Sequence, residues 1–187
     1  MENYRSCGVG PAKMSQIINS TNGSGTDIIT PQQCSNYLKI KRKKNISKEC
    51  MIVIQNFLER KARDSEFYYA IQLDDTQSYR SIFWGDARAR ESYMKFSDVI
   101  VFDVTYKTNN FSMPFAHFTT VNHHRQSILL GCALLSDERE EIFVWLFDQW
   151  LKCMFNQALG AIITGQDSAI CNVIAKMFSH TYYRYCK

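Results

Sequence analysis

One acidic residue, Asp103, lies in the strongly apolar stretch SDVIVFDVTYKTNNFSMPF, residues 97–115. Four apolar residues precede it directly and one follows it, which is typical of a buried β-strand. An unpaired carboxylate in such a strand loses its hydration or takes up a proton, so it needs a metal ion, a cation or hydrogen-bond donors. Two interpretations stay open: Asp103 binds a metal ion, or it is a strand-end aspartate that bonds a backbone N–H or the Thr105 hydroxyl.

A second acid, Asp167, follows the short apolar segment AIIT in the sequence TGQD, residues 164–167. Its position beside Ser168 suits the N-cap of a following helix. Gly165 is a residue type that is common in turns between a strand and a helix. Asp167 is therefore a candidate helix cap and a candidate second acid beside Asp103. The pattern favours the cap.

A basic run, KIKRKK at residues 39–44, could contact an anion. Its five cations are Lys39, Lys41, Arg42, Lys43 and Lys44. On the second of two helices such a run could contact DNA phosphates, as in a helix-turn-helix module. A solvated helix face and a nuclear localisation signal are the alternatives.

The histidines and cysteines do not form a recognisable metal site. His117 lies in an alternating strand, which favours a structural role, and the adjacent His123 and His124 diverge at a predicted turn. The seven cysteines include no Cys-x-x-Cys pair, which argues against a disulfide framework and against a zinc ribbon.

The composition, with 45% hydrophobic and 21% charged residues in 187, is that of a globular protein with one sizeable core. No run approaches the roughly 18 apolar residues of a membrane span. The first residues, MENYRSCGVGPAK, lack the apolar centre of a secretory signal. We therefore expect an intracellular location and no membrane partner.

The elements that must position these residues form two regions. Residues 1–66 are predicted to be helical, with helices starting at Pro11, at Thr30–Pro31 and after Ser47, and with the flexible connection TNGSGTD between the first two. Residues 67–187 begin with a hairpin of FYYAIQL and YRSIFWG, followed by a short helix that Asp86 caps.

From residue 97 the predicted order is three strands, a long helix, a strand, a helix and the start of one more strand. A turn at residues 122–125 joins the second and third strands, and an apolar stripe at three- and four-residue steps marks the long helix at 139–156. This order predicts an α/β fold with a mixed sheet, namely a partial ribonuclease-H-like fold with an acid on its central strand.

The residues also resemble a known family. FDVTYKTN, MPFAHF, VNHHRQSILLGCALL and FVWLF occur in the order and spacing of the far-red-impaired-response proteins of plants, which derive from Mutator-like (MULE) transposases. The resemblance covers residues 67–187 densely and the N-terminal helices more loosely. It implies a ribonuclease-H-like DDE transposase core, a nuclear location, DNA binding with transcriptional regulation in light responses, and other family members as dimer partners.

The same resemblance gives the acids their roles. It implies that Asp103 descends from the first catalytic acid, which holds Mg²⁺ or Mn²⁺ in a two-metal site. Family members usually have TDQD where this chain has TGQD, so Gly165 stands at the position of the second acid. As a replacement for the second acid, Asp167 lies two residues further along the chain than the family's position.

The resemblance further implies that the family's third acid, its upstream zinc finger and its downstream SWIM zinc finger lie outside this sequence. We therefore expect a truncated, catalytically inactive regulator with no cofactor in this chain. The alternative is a metal-dependent DNA transposase whose remaining acids lie beyond this sequence. An incomplete sheet would leave the apolar side of the 139–156 helix partly uncovered.

Overall fold

A computed structural model describes residues 10–21, 29–105, 113–157 and 159–186. The side chains of Thr21 and of residues 39–49 lie outside that description, as does the predicted connection from residue 22 onward. The chain divides into two compact units, residues 1–49 and residues 50–187. The predicted domain boundary after residue 66 stays a prediction.

The first unit contains α1 (Pro11–Thr21) and the beginning of α2 (Pro31–Arg63). Thr30 caps α2 as predicted: its hydroxyl accepts the Gln33 N–H at 3.2 Å, and its own N–H donates to Gln33 Oε1 at 2.8 Å. This reciprocal pair is a capping box. Met14 and Cys34 are fully buried.

Helix α2 corrects the prediction of a new helix after Ser47. It runs without a break for 33 residues from Pro31 to Arg63. No glycine or proline interrupts the helix after its first residue, so its backbone hydrogen bonds continue past the serine. Serine is a good helix cap, but it does not by itself end a preceding helix.

The second unit contains the remaining elements, which agree with the predicted ones in type and order. They are β1 (Tyr68–Leu73), β2 (Tyr79–Gly85), α3 (Ala87–Phe96), β3 (Val99–Thr105), β4 (Phe115–Val121), β5 (Ser127–Leu134), α4 (Glu140–Cys153), β6 (Ala161–Thr164), α5 (Ser168–Met177) and β7 (Tyr182–Tyr185). Asp86 caps α3 by accepting the Ala89 N–H at 2.7 Å. The turn between β4 and β5 is closed by the Arg125 N–H, which donates to the Asn122 carbonyl.

The strands form one seven-stranded sheet in the order β1-β2-β5-β4-β3-β6-β7. The pairs from β1 to β3 are antiparallel, and β6 and β7 run parallel to β3. The sheet is therefore mixed, with the acid-bearing strand β3 near its centre and the fourth strand of the core, β6, beside it. The predicted α/β class and ribonuclease-H-like arrangement are confirmed.

Helices α3, α4 and α5 cover one side of this sheet, which we call the covered face. Phe102 and Phe118 point into it from β3 and β4 and meet Phe147 of α4 at ring-centroid distances of 4.9 and 5.6 Å. Trp150 is fully buried between Phe118 and Tyr93. This aromatic core holds the helices against the strands.

The expectation that the long helix is partly uncovered is wrong. Its inward side chains are fully or almost fully buried: Ile142, Phe143, Leu146, Phe147, Trp150 and Cys153. The sheet extends from the β1–β2 hairpin to β7, so the strands give the helix enough surface to pack on.

The opposite side of the sheet is only partly covered. The C-terminal part of α2 packs over β1 and β2, where Phe57 meets Tyr69 and Trp84. Over β3, β4 and β5 no helix of the described second unit packs on this side. Val99 is 42%, Val121 51% and Leu129 53% exposed there. We call this region of the three strands the open face.

Candidate functional site

Asp103 lies on the open face, near the carboxyl end of β3. The strand alternates, with Ile100 and Phe102 buried and Asp103 exposed, so the expectation of a fully buried strand around the acid is wrong. Its carboxylate has no hydrogen bond or ion pair within the described residues, and Thr105 does not bond it. The interpretation of Asp103 as a satisfied strand-end aspartate therefore has no support.

Four side chains form a row across the open face, beginning with Asp103. Asp103 pairs with His117 of β4, His117 with Cys132 of β5, and Cys132 with Trp84 of β2. Partners in register point to the same side of a sheet, so these side chains are neighbours. His117 stacks on Phe115 at 6.0 Å, and its buried Nδ1 has no hydrogen-bond partner in the described structure.

Cys132 contributes a buried thiol to this row. Burial, with a contribution from the Asp86 charge, raises the pKa of its thiol to about 11. The thiolate is the nucleophile and the metal ligand, so a thiol that stays protonated at neutral pH is a poor candidate for either role.

On its other side, Asp103 lies beside the position of the second acid. Strands β3 and β6 are parallel, and their last paired residues are Phe102 and Thr164, so Asp103 and Gly165 each follow directly after this pair. A Cβ at Gly165 would meet no atom of the described residues within 4 Å. The fold thus places both positions at the ends of neighbouring strands, and the described residues leave room for a Cβ at the second position.

Asp167 caps α5, as the sequence predicted. Its Oδ1 accepts the Ile170 N–H at 3.0 Å, which satisfies one of the free donors at the start of that helix. One carboxylate oxygen is therefore already used in local structure. Its role as a candidate second acid stays a prediction.

The donor set on this edge does not fit the two-carboxylate metal site that the family resemblance implies. Within the described residues, no three His, Cys, Asp or Glu side chains come together as a metal site would require. Mg²⁺ keeps several of its waters and is held by one or two carboxylates plus phosphate oxygens. At this edge of the sheet, Asp103 provides a single carboxylate ligand.

Comparison with known proteins identifies the family of this chain. The MULE transposase domain matches residues 99–187, which include β3, β6, Asp103 and Gly165. Protein FAR1-RELATED SEQUENCE 5 of Arabidopsis thaliana is 35% identical over 188 aligned positions, which cover 100% of this chain and 24% of the relative. FAR1-RELATED SEQUENCE 7 of the same plant is 38% identical and covers 93% of the chain and 23% of its own length.

A third relative is Protein FAR-RED IMPAIRED RESPONSE 1 of Arabidopsis thaliana, 40% identical over 74% of the chain and 16% of its own length. The chain belongs to the far-red-impaired-response-related family. It spans about a quarter or less of the length of these relatives, as 24%, 23% and 16% are covered. The similarity to FAR1-RELATED SEQUENCE 5 covers the whole chain and so includes residues that precede the MULE match as well as the match itself.

The predicted DNA-binding residues of this family member lie in the middle of α2. Lys39, Lys41, Arg42, Lys43 and Lys44 fall on a continuous helix, but their side chains are outside the described part of the structure. Their contact with DNA stays a prediction. No helix among the described residues is long and apolar enough to cross a membrane.

Sequence reasoning missed a second basic surface in this family member, within residues 50–187. Arg60 and Arg63 at the end of α2 and Arg88 at the start of α3 line one cavity of about 230 Å³. The i, i+3 spacing of the first two was visible in the sequence and puts them on one helix face. Nothing in the sequence showed that Arg88 lies near these two arginines. That proximity depends on how the β1–β2 hairpin brings the start of α3 back to the end of α2.

Proposed function

We propose that this chain is the transposase-derived core of a nuclear, DNA-binding regulator of transcription in far-red light responses, and that it does not cut DNA. The observation that supports the loss of cleavage is that Asp103 and Gly165 directly follow the last residue pair of β3 and β6, where two carboxylates would be needed to hold metal ions. Family membership supports the regulatory role. DNA and other family members, as dimer partners, are the partners we propose.

Titration with Mn²⁺, followed by calorimetry, tests the loss of cleavage. We expect no binding at micromolar concentrations for the unmodified chain and none for Asp103→Asn. Gly165→Asp should gain measurable affinity, because a Cβ there meets no described residue within 4 Å and the new acid would follow Thr164 as Asp103 follows Phe102. Asp75→Asn, which removes an exposed acid from the β1–β2 turn, is the matched control.

A metal-dependent transposase is the second candidate, since one observation favours it. Asp103 is exposed, has no partner within the described residues, and stands beside His117, whose Nδ1 also has none. Carboxylate and imidazole together could hold Mn²⁺. Micromolar Mn²⁺ binding by the unmodified chain that disappears in Asp103→Asn would favour this candidate and contradict the loss of cleavage.

The DNA-binding part of the proposal has its own test. Replacing Lys41, Arg42, Lys43 and Lys44 together by Ala should remove most binding and reduce the slope of log affinity against log salt by about three to four units. The reason is that each lost phosphate contact removes about one released counterion. An unchanged slope would assign the binding to another surface of the chain.

A further inference from the structure

The cavity lined by Arg60, Arg63 and Arg88 adjoins a second cavity of about 200 Å³. Arg60 and Asp86 line both, and Trp84, Leu129 and Cys132 line the second one. The combined depression, which we call the arginine cleft, lies at the step where α2 stops covering the sheet and the open face begins. It therefore leads from three guanidinium groups onto the row of side chains that ends at Asp103.

The three arginines of the cleft have no acidic partner among the residues that the structure describes. None of them forms an ion pair within the described residues, whereas Arg80, Arg90 and Arg139 each do. Arg88 is also in the first turn of α3, where the helix dipole disfavours a cation. Helix stability therefore accounts for Arg60 and Arg63 at a C-terminal end but does not account for Arg88.

Two carboxylates also line the cleft, and both are used in local structure. Asp86 Oδ1 accepts the Ala89 N–H at 2.7 Å, and Asp64 Oδ1 accepts the Glu66 N–H at 2.9 Å. Neither is paired with a cleft arginine, so the guanidinium N–H groups stay available. Three cations against two such acids leave the cleft positive, and arginine forks suit phosphate oxygens.

The second cavity adds an aromatic surface next to the cations. Trp84 is half-buried, with one side of its indole against Phe57 at 5.5 Å. Leu129 beside it is 53% exposed. Aromatic surfaces beside a basic groove accept nucleic-acid bases with little dependence on sequence.

We infer that the arginine cleft binds the phosphodiester backbone of a DNA strand, with Arg60, Arg63 and Arg88 on the phosphates and Trp84 against an adjacent sugar or base. This inference rests on the proposed DNA-binding function and adds a contact site to the run at 39–44. It places the strand on the open face, on the side of the sheet where Asp103 lies.

The test measures binding of a short fluorescein-labelled DNA of arbitrary sequence by anisotropy across a salt series. The cleft variant is Arg60→Gln, Arg63→Gln and Arg88→Gln, because glutamine keeps a long side chain and a good helix propensity. The control variant, Lys95→Gln, Lys152→Gln and Arg184→Gln, removes three exposed charges elsewhere in the same unit. Both variants lose the same net charge.

We expect the cleft variant to lose at least tenfold in affinity at low salt and to reduce the salt slope by about two to three units, relative to the control variant. Trp84→Leu should weaken binding without changing the slope, since it removes no charge. Circular dichroism and thermal melting check that each variant is folded.

The outcomes separate this inference from the proposed function. Binding by the unmodified chain that is equal in the cleft and control variants overturns the inference and leaves DNA binding standing. No binding by the unmodified chain overturns both. If inorganic phosphate or a mononucleotide binds the cleft at micromolar concentration while DNA does not compete, the cleft is a small-molecule site and the inference is wrong.

Discussion

The covered face and the open face of the sheet are built from different residues. The covered face is filled with aromatic rings that are fully buried and touch one another at 4.7 to 6.4 Å. The open face carries a carboxylate, an imidazole and a thiol in one row, with half-exposed valine and leucine beside them. Packing accounts for the first set, whereas the second set brings polar groups together and is where binding chemistry can reside.

The largest expected effect is a contrast in stability between these faces. Phe118→Ala, in the middle of the covered face, should cost about 3–5 kcal/mol of unfolding free energy, because the ring is fully buried and leaves a cavity. Leu129→Ala, on the open face, should stay within about 0.5 kcal/mol. Urea unfolding measures both. Similar losses for the two variants would show that the open face is packed in solution.

Two glycines extend the contrast to the backbone. A Cβ at Gly85 would lie 2.9 Å from Cys153 Sγ and 3.3 Å from the Leu130 carbonyl oxygen, so Gly85→Ala should destabilise the protein by about 1–3 kcal/mol. Gly165→Ala should be close to neutral, because no atom of the described residues lies within 4 Å of its Cβ. Thermal melting compares them. A large loss for Gly165→Ala would mean that this turn is more crowded than the structure indicates.

A polar cluster on the covered face gives a smaller effect. The Tyr183 hydroxyl lies 2.8 Å from Thr164 Oγ1 and 3.1 Å from Cys171 Sγ. Tyr183→Phe should cost about 0.5–1.5 kcal/mol at neutral pH, because these hydrogen bonds are lost. Tyr182→Phe, at a side chain 76% exposed, is the control and should change nothing measurable.

The pKa of Tyr183 also predicts how the stability of the protein depends on pH under alkaline conditions. Burial, together with the bond to Cys171, raises the pKa of Tyr183 from 10.0 to about 12. The phenol ionises at a higher pH in the folded state than in the unfolded state. Its contribution to stability is therefore complete below pH 10 and is lost as the pH rises from 10 to 12. Urea unfolding across this window should show a shallower decline for Tyr183→Phe than for the unmodified chain. Parallel declines would remove Tyr183 as a cause.

The smallest expected effect concerns Asp103 itself. Asp103→Asn should change the unfolding free energy by no more than about 0.5 kcal/mol, since the carboxylate is exposed and has no partner in the described structure. A loss of more than about 1 kcal/mol would return Asp103 to a structural role. Such a result would mean that Asp103, like the buried rings of the covered face, contributes to stability.

Sequence patterns predicted the covered face well. The apolar stripe of α4 has a helical period that only a buried helix face explains, and the caps Asp86 and Asp167 depend on residues one turn away. These are local relations, which the sequence carries directly. The adjacency of β3 and β6 was expected only from the fold class that the element order and the family resemblance implied.

The open face was harder to predict, because exposure depends on what packs from elsewhere. The apolar run around Asp103 indicated a strand buried on both sides, yet Val99 is 42% exposed, as no described helix covers it. The arginine cleft needs the end of α2 and the start of α3 to meet, and no local pattern encodes that meeting.

The open space at Gly165 bears on which substitutions this turn can accept. A Cβ there would meet no atom of the described residues within 4 Å, whereas a Cβ at Gly85 or Gly160 would lie 2.9 Å from a neighbouring atom. Among these three glycines, Gly165 is therefore the position where the described structure presents no steric obstacle to a first side-chain carbon.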